Sequence, residues 1–190
     1  HWSPMKRIDG PTTLAGGRNE LAVRFESPGE GGVKLAKSYT FTRGSYVIDV
    51  KHEVVNGGGA AVTPQLYLGL ERDGNPARGE SKWYFTFTGP ALYTDAKKFE
   101  KIDFKDIEKL AVRNAKLRQE GRPDEPPAHA YQADNGWVAM VQHYFASAWL
   151  LNPPGPRELR TQKVKDNLYA VSMVLPLGEI APGAAKAHEA

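Results

Sequence analysis

Gly136-Trp137-Val138-Ala139-Met140-Val141-Gln142-His143-Tyr144-Phe145-Ala146-Ser147-Ala148-Trp149-Leu150-Leu151 is the most apolar and aromatic stretch of the chain. Trp137, Met140, Val141, Tyr144, Phe145, Ala148 and Trp149 fall at helical spacing, so periodicity alone predicts a helix with those side chains in a core. The same residues also fit a strand, with Val138, Met140 and Gln142 facing one way and Trp137, Ala139 and Val141 the other. Which reading holds decides the fold class.

Outward from this stretch, most of the chain reads as strands. Glu20–Phe25 and Leu35–Thr42 alternate apolar and polar residues, Arg43-Gly44 makes a turn, and Ser45–Val55 runs on with Tyr46, Ile48, Val50 and Val54 on one side. Asn56-Gly57-Gly58-Gly59 predicts a hairpin with a returning strand over Ala61–Arg72, because Asn and Gly accept positive φ. Ser81–Phe87 alternates again, with Trp83, Phe85 and Phe87 together. Glu158–Val164 and Leu168–Leu175 flank Lys165-Asp166-Asn167 as a further hairpin. Asp106–Gln119 predicts a charged helix carrying Ile107, Leu110, Ala111, Ala115 and Leu117, stopped by Gly121 and Pro123. Residues 122–135, with three prolines, read as an exposed loop. Strands at about ten-residue spacing with turn signals between them predict a mainly β chain, an antiparallel sandwich or barrel.

Composition bounds the chemistry. The 190 residues suit one domain, large enough to bury a core without staples. The absence of cysteine excludes thiol catalysis, cysteine-ligated zinc and disulfides. No apolar run spans a bilayer, and the first residues lack the order of a signal peptide. The net charge of +3 is local: between Lys97 and Arg122 nine basic residues meet five acidic ones, which leaves the remainder at −1. Such a run reads as a solvated mixed-charge helix, or as a basic face for anionic lipid head groups or an acidic partner. Its helical part has no interleaved aromatic, so nucleic acid is not expected as a partner.

No catalytic constellation emerges. His52 shares a strand face with Tyr46, Ile48 and Val50 and reads as a sheet histidine; His129 lies in the polar loop, and His143 has no carboxylate within four residues. Glu100 and Asp103 sit among lysines. Gly57-Gly58-Gly59 is followed by neither Lys-Ser/Thr nor a helix start, and no Ser stands in Gly-x-Ser-x-Gly. Catalytic, cofactor and metal residues are therefore all expected to be none, and no binding residue is assigned.

The string Gly136-Trp137-Val138-Ala139-Met140-x-Gln142-x-Tyr144-Phe145-Ala146-x-Ala148-Trp149 closely resembles the signature of the large periplasmic domain of YidC, the bacterial membrane protein insertase family. Tyr39-Thr40-Phe41-x-Arg43-Gly44-x-Tyr46, then Val50 and Val55-Asn56, resembles that family's strand–turn–strand. Phe87-Thr88-Gly89-Pro90-Ala91 with Lys98 through Ile107 resembles the stretch before the signature, and Pro182-Gly183 the turn before the last strand. The resemblance covers roughly residues 15–190 and departs from the family in a longer charged helix and Pro-rich loop at about 106–135.

What the resemblance implies goes beyond the spacing. The fold would be a large twisted antiparallel β-sandwich, galactose mutarotase-like, with one or two short helices, and 1–190 would form a single periplasmic domain. The Gly136 segment would then be a strand, which overrules the helix reading. The chain would be a fragment that starts inside the domain and stops before its final strand, with one sheet edge unpaired. Function would be non-enzymatic: a docking or substrate-contact module on the periplasmic face of the bacterial inner membrane. Its partners, through the full-length protein, would be Sec translocon components and nascent membrane proteins, with the basic helix free to rest on the membrane surface. The rival is a sugar-binding or mutarotase-like sandwich, motivated by Trp83, Trp137, Tyr144 and Trp149 as stacking faces. It lacks a carboxylate partner for His52 or His143. A spacer between membrane and partners is the bland third reading.

Overall fold

A computed structural model describes residues 4–76, 86–151 and 154–190. The chain is mainly β and antiparallel throughout, with three sheets and one helix among the described residues. It divides into two compact units, His1–Pro64 with Leu177–Ala190, and Gln65–Pro176.

The first unit is one five-stranded sheet of β1 (Lys6–Arg7), β2 (Glu20–Glu26), β3 (Val33–Thr42), β4 (Ile48–Asn56) and β13 (Ala185–Glu189), in the order β1-β2-β3-β4-β13. Register puts Val23 opposite Tyr39 and Tyr39 opposite Val50, so one face is apolar. Along it Phe25 meets Tyr39 edge-on at 6.0 Å and Tyr39 stacks on Phe41 at 6.5 Å. The other face carries the charges: the Arg24 guanidinium joins Glu26 and Glu53, and Lys51 pairs with Glu53. These ion pairs hold Glu53 below the usual carboxylate range.

Asn56 does not head a hairpin. The strand that follows it, β5 (Gln65–Asp73), belongs to another sheet, and β4 instead pairs with β3 and the distant β13. Asn56 is fully buried (0% exposed), its amide donating to the carbonyls of Ala60 and Ile180 while its Oδ1 accepts from the Gly58 N–H. The glycines serve a close crossing: Gly57 N–H donates to Gly32 O, and a Cβ on Gly32 would lie 2.7 Å from Gly58 Cα. The chemistry that reads as a local turn therefore fastens a long-range contact.

The second unit is a two-layer sandwich. One sheet is β10-β9-β6-β7, built from β6 (Thr88–Thr94), β7 (Lys98–Lys101), β9 (Trp137–Gln142) and β10 (Phe145–Trp149). The other is β5-β12-β11-β8, which adds β8 (Gln132–Ala133), β11 (Arg157–Lys165) and β12 (Leu168–Pro176). Leu68, Leu92, Val138, Leu159, Val171 and Met173 are buried between them, each contributing about 1.5–3 kcal/mol by leaving water. Two polar ties cross the gap, Arg72 to the Gln142 amide and Trp149 Nε1–H to Gly69 O at 3.2 Å.

Residues 137–149 are thus a hairpin, and the helix suggested by periodicity does not form. Each strand is only five or six residues long, and His143 turns the chain at φ 47°, so a 3.6-residue pattern is mimicked by two period-2 strands joined at a tight turn. Gly136 is required before it, because at φ 104° a Cβ would stand 2.0 Å from the Tyr93 carbonyl oxygen. The core reading of the aromatics also fails at the turn, where Tyr144 is 85% and Phe145 76% exposed. The hairpin read at 165–167 is present as β11 and β12, with Asn167 at φ 50°. The strand expected at Ser81–Phe87 falls largely outside the described residues.

Candidate functional site: an aromatic and lysine face

Helix α1 (Phe104–Gln119) begins two residues before the expected start and ends as expected. Gly121, at φ 70°, donates to Arg118 O and Arg122 donates to Leu117 O, the paired bonds of a Schellman cap. Ile107 and Leu117 are buried, Phe104 stacks on Tyr169 at 4.7 Å, and Glu108 accepts from Lys163 and the Tyr169 hydroxyl.

The Pro-rich loop is exposed for much of its length but fastened to this helix. Arg118 pairs with Asp124 and Arg113 with Glu125, while the Asn114 amide exchanges two hydrogen bonds with the Glu125 backbone. His129, read as a polar loop residue, is buried. Its Nδ1–H donates to the Ala130 carbonyl at 2.6 Å and its Nε2 accepts from the Thr161 hydroxyl at 2.9 Å. Burial holds its pKa down, against the Ala130 carbonyl and Glu100. Glu100, which the sequence places among lysines with Asp103, accepts from the Ala130 N–H, and Asp103 stands at the helix N-cap. A cavity of about 410 Å³ lies among Ile102, Ile107, Leu110, Pro126 and His129.

The charged run is largely self-neutralised. Lys109 pairs with Asp106, Lys116 and Arg122 with Glu120, and Arg113 and Arg118 with the loop acids. Counting Asp124 and Glu125 with residues 97–122 gives nine basic against seven acidic residues, so +4 becomes +2. This geometry favours the solvated mixed-charge reading over a lipid-binding helix.

Lys98 and Lys101 behave differently. They flank Phe99 on β7, which lies opposite Tyr93 of β6, itself opposite Trp137 of β9. Trp137 stacks on Tyr93 with centroids 6.0 Å apart and planes 12° apart, and Phe99 leans on Trp137 at 5.8 Å. Lys98 Nζ sits 6.0 Å from the Tyr93 ring; Lys101 Nζ is 5.2 Å from Phe87 and 6.0 Å from Phe99. Neither lysine meets a carboxylate among the described residues. Lys98 takes φ 60°, an uncommon conformation for a residue with a side chain, and Phe99 is 50% exposed. By strand alternation this face continues through Ala91 and Ala139, which are buried (0% and 2% exposed), to Val141, Ala146 and Ala148 without an acidic residue, so on its β7 side it opens to solvent at Phe99.

The remaining candidates are not brought into one cleft. Trp149 lies on the opposite face of the sheet from Trp137, with its N–H spent on Gly69. His143 Nδ1 is 2.8 Å from the Thr86 hydroxyl, and Trp83 lies outside the described residues. His52 faces His188 across β4 and β13; burial first, then Lys37 and His188, push its pKa down to about 4. The described residues contain no group of three His, Asp or Glu side chains able to hold a metal ion.

An antiparallel β-sandwich with one helix, whose β7 edge carries aromatic rings and two lysines that meet no carboxylate among the described residues, defines the class as a β-sandwich domain. The chain belongs to the YidC periplasmic domain family, whose model matches residues 3–190. It is 45% identical over 182 residues to the membrane protein insertase YidC of Janthinobacterium sp. (strain Marseille), covering 95% of this chain and 29% of that protein. For the namesake of Burkholderia ambifaria (strain MC40-6) the identity is 48% over 174 residues, covering 92% and 28%. For that of Dechloromonas aromatica (strain RCB) it is 44% over 185 residues, covering 97% and 31%. The chain thus spans less than a third of the length of these relatives.

Proposed function

We propose that the chain is the periplasmic part of an inner-membrane protein insertase and serves it as a non-catalytic docking or substrate-contact module. The relatives' shared name supports the insertase setting. One observation carries the docking role: two separate strings that resemble the family, Lys98–Lys101 and Gly136–Trp149, converge on one partly exposed face at Phe99 and Trp137. A buried core would account for Val138 and Met140, but it gives no reason for a half-exposed Phe99 between two lysines. Aromatic side chains are what protein interfaces concentrate at their centre, inside a polar rim.

The test deletes residues 20–185 from the full-length insertase and follows Sec translocon co-purification and insertion of a reporter membrane protein. The docking role expects loss of association with the protein still in the membrane. Unchanged association and insertion would refute it.

A further inference from the structure

We infer that the β7 edge of the β7–β6–β9 sheet, at Phe99 and the rim of Trp137, receives an acidic segment of a partner protein, its carboxylates meeting Lys98 and Lys101 and its apolar side chains lying on Phe99. This rests on the docking reading above and names the partner's chemistry. Charge complementarity is the first argument. Of the cations between Lys97 and Arg122, five (Lys109, Arg113, Lys116, Arg118 and Arg122) are held by this chain's own acids, whereas Lys98 and Lys101 rest on aromatic rings. A lysine over a ring keeps its charge and can still accept a carboxylate.

Spacing is the second. Strand alternation alone would put Lys98 and Lys101 on opposite sides of β7. Lys98, however, takes φ 60° at the start of the strand and its Nζ lies 6.0 Å from the Tyr93 ring, while Lys101 Nζ lies 6.0 Å from Phe99. Both ammonium groups therefore border one aromatic cluster, and a partner's acids a few residues apart in an extended segment reach both. The rings between them offer apolar surface for the intervening side chains. Shape argues against a bilayer as the occupant. Lipid-binding patches gather roughly four to eight basic residues and project aromatics outward; here there are two lysines, and the Tyr93 and Trp137 rings are stacked on each other.

The experiment uses the full-length protein in phosphatidylcholine nanodiscs and fluorescent twelve-residue peptides with leucine and phenylalanine between glutamates, or lysines in their place. The glutamate peptide is expected to bind wild type. The Lys98→Glu/Lys101→Glu protein should bind it at least tenfold more weakly and gain affinity for the lysine peptide, with an unchanged melting temperature. Lys98→Ala should give a partial loss. Binding indifferent to peptide charge, or unaltered by the swap, overturns the assignment. So does a charge-dependent change in quenching, by spin-labelled phosphatidylglycerol, of a fluorophore attached at Phe99→Cys, which would make the face a lipid contact. Photocrosslinks from position 99 that persist in the charge-swapped protein would overturn the acidic partner yet leave docking standing; their absence in wild type would remove docking itself.

Discussion

The Phe99 ring leans on the Trp137 indole at 5.8 Å from a neighbouring strand pair, joining an edge strand to the hairpin that follows Gly136. Half of Phe99 remains in water. Phe99→Ala should therefore cost fold stability little, about 1 kcal/mol from partial burial and one aromatic pair, while disrupting the contact face. Denaturant midpoints of wild type and variant check the first part; the association assay checks the second.

Gly136→Ala should be severe. Its Cβ would overlap the Tyr93 carbonyl oxygen, and φ 104° is a conformation other residues rarely adopt. A loss of about 3 kcal/mol or more is expected, seen as a drop in melting temperature.

Asn56→Ala removes the amide that satisfies the Ala60 and Ile180 carbonyls and the Gly58 N–H in a fully buried site. About 2–3 kcal/mol should be lost. By contrast Arg118→Ala, which breaks an exposed ion pair with Asp124, should leave the stability almost unchanged. Urea titrations of the two variants should separate them clearly.

How far these features are legible in the sequence depends on the range of the interaction. The β11–β12 hairpin and α1 read correctly because turn residues and caps act within a few positions: Asn167 supplies the positive φ, and Gly121 closes the helix. Asn56 misleads because the partners of its side chain, Ala60 and Ile180, include one 124 residues away. Trp137 to Trp149 misleads because two short strands with a turn at His143 satisfy a helical spacing. The meeting of Phe99 and Trp137 could not be read at all, since they lie 38 positions apart and only strand pairing joins them. Its one sequence signal was the pair of family-like strings.

Stability should fall with acid through His52. Its folded-state pKa is pushed down to about 4 from an ordinary 6.5, by burial first and then by Lys37 and His188. The folded state therefore favours the neutral ring: this contribution is complete above pH 6.5 and is lost as pH falls towards 4. It should amount to about 1–2 kcal/mol after allowance for partial exposure. His52→Gln should flatten the pH dependence of the melting temperature in that window; an unchanged slope would assign it to other groups, such as His129.

The most direct measurement places a photoreactive benzoylphenylalanine at Phe99 in the full-length protein, with Val112 on the exposed side of α1 as control. After irradiation in cells, adducts are probed for the Sec translocon and for a reporter nascent membrane protein. Adducts from position 99, reduced by Trp137→Ser and absent from position 112, are the expected result. Equal adducts from both positions, or none from position 99, would contradict the account.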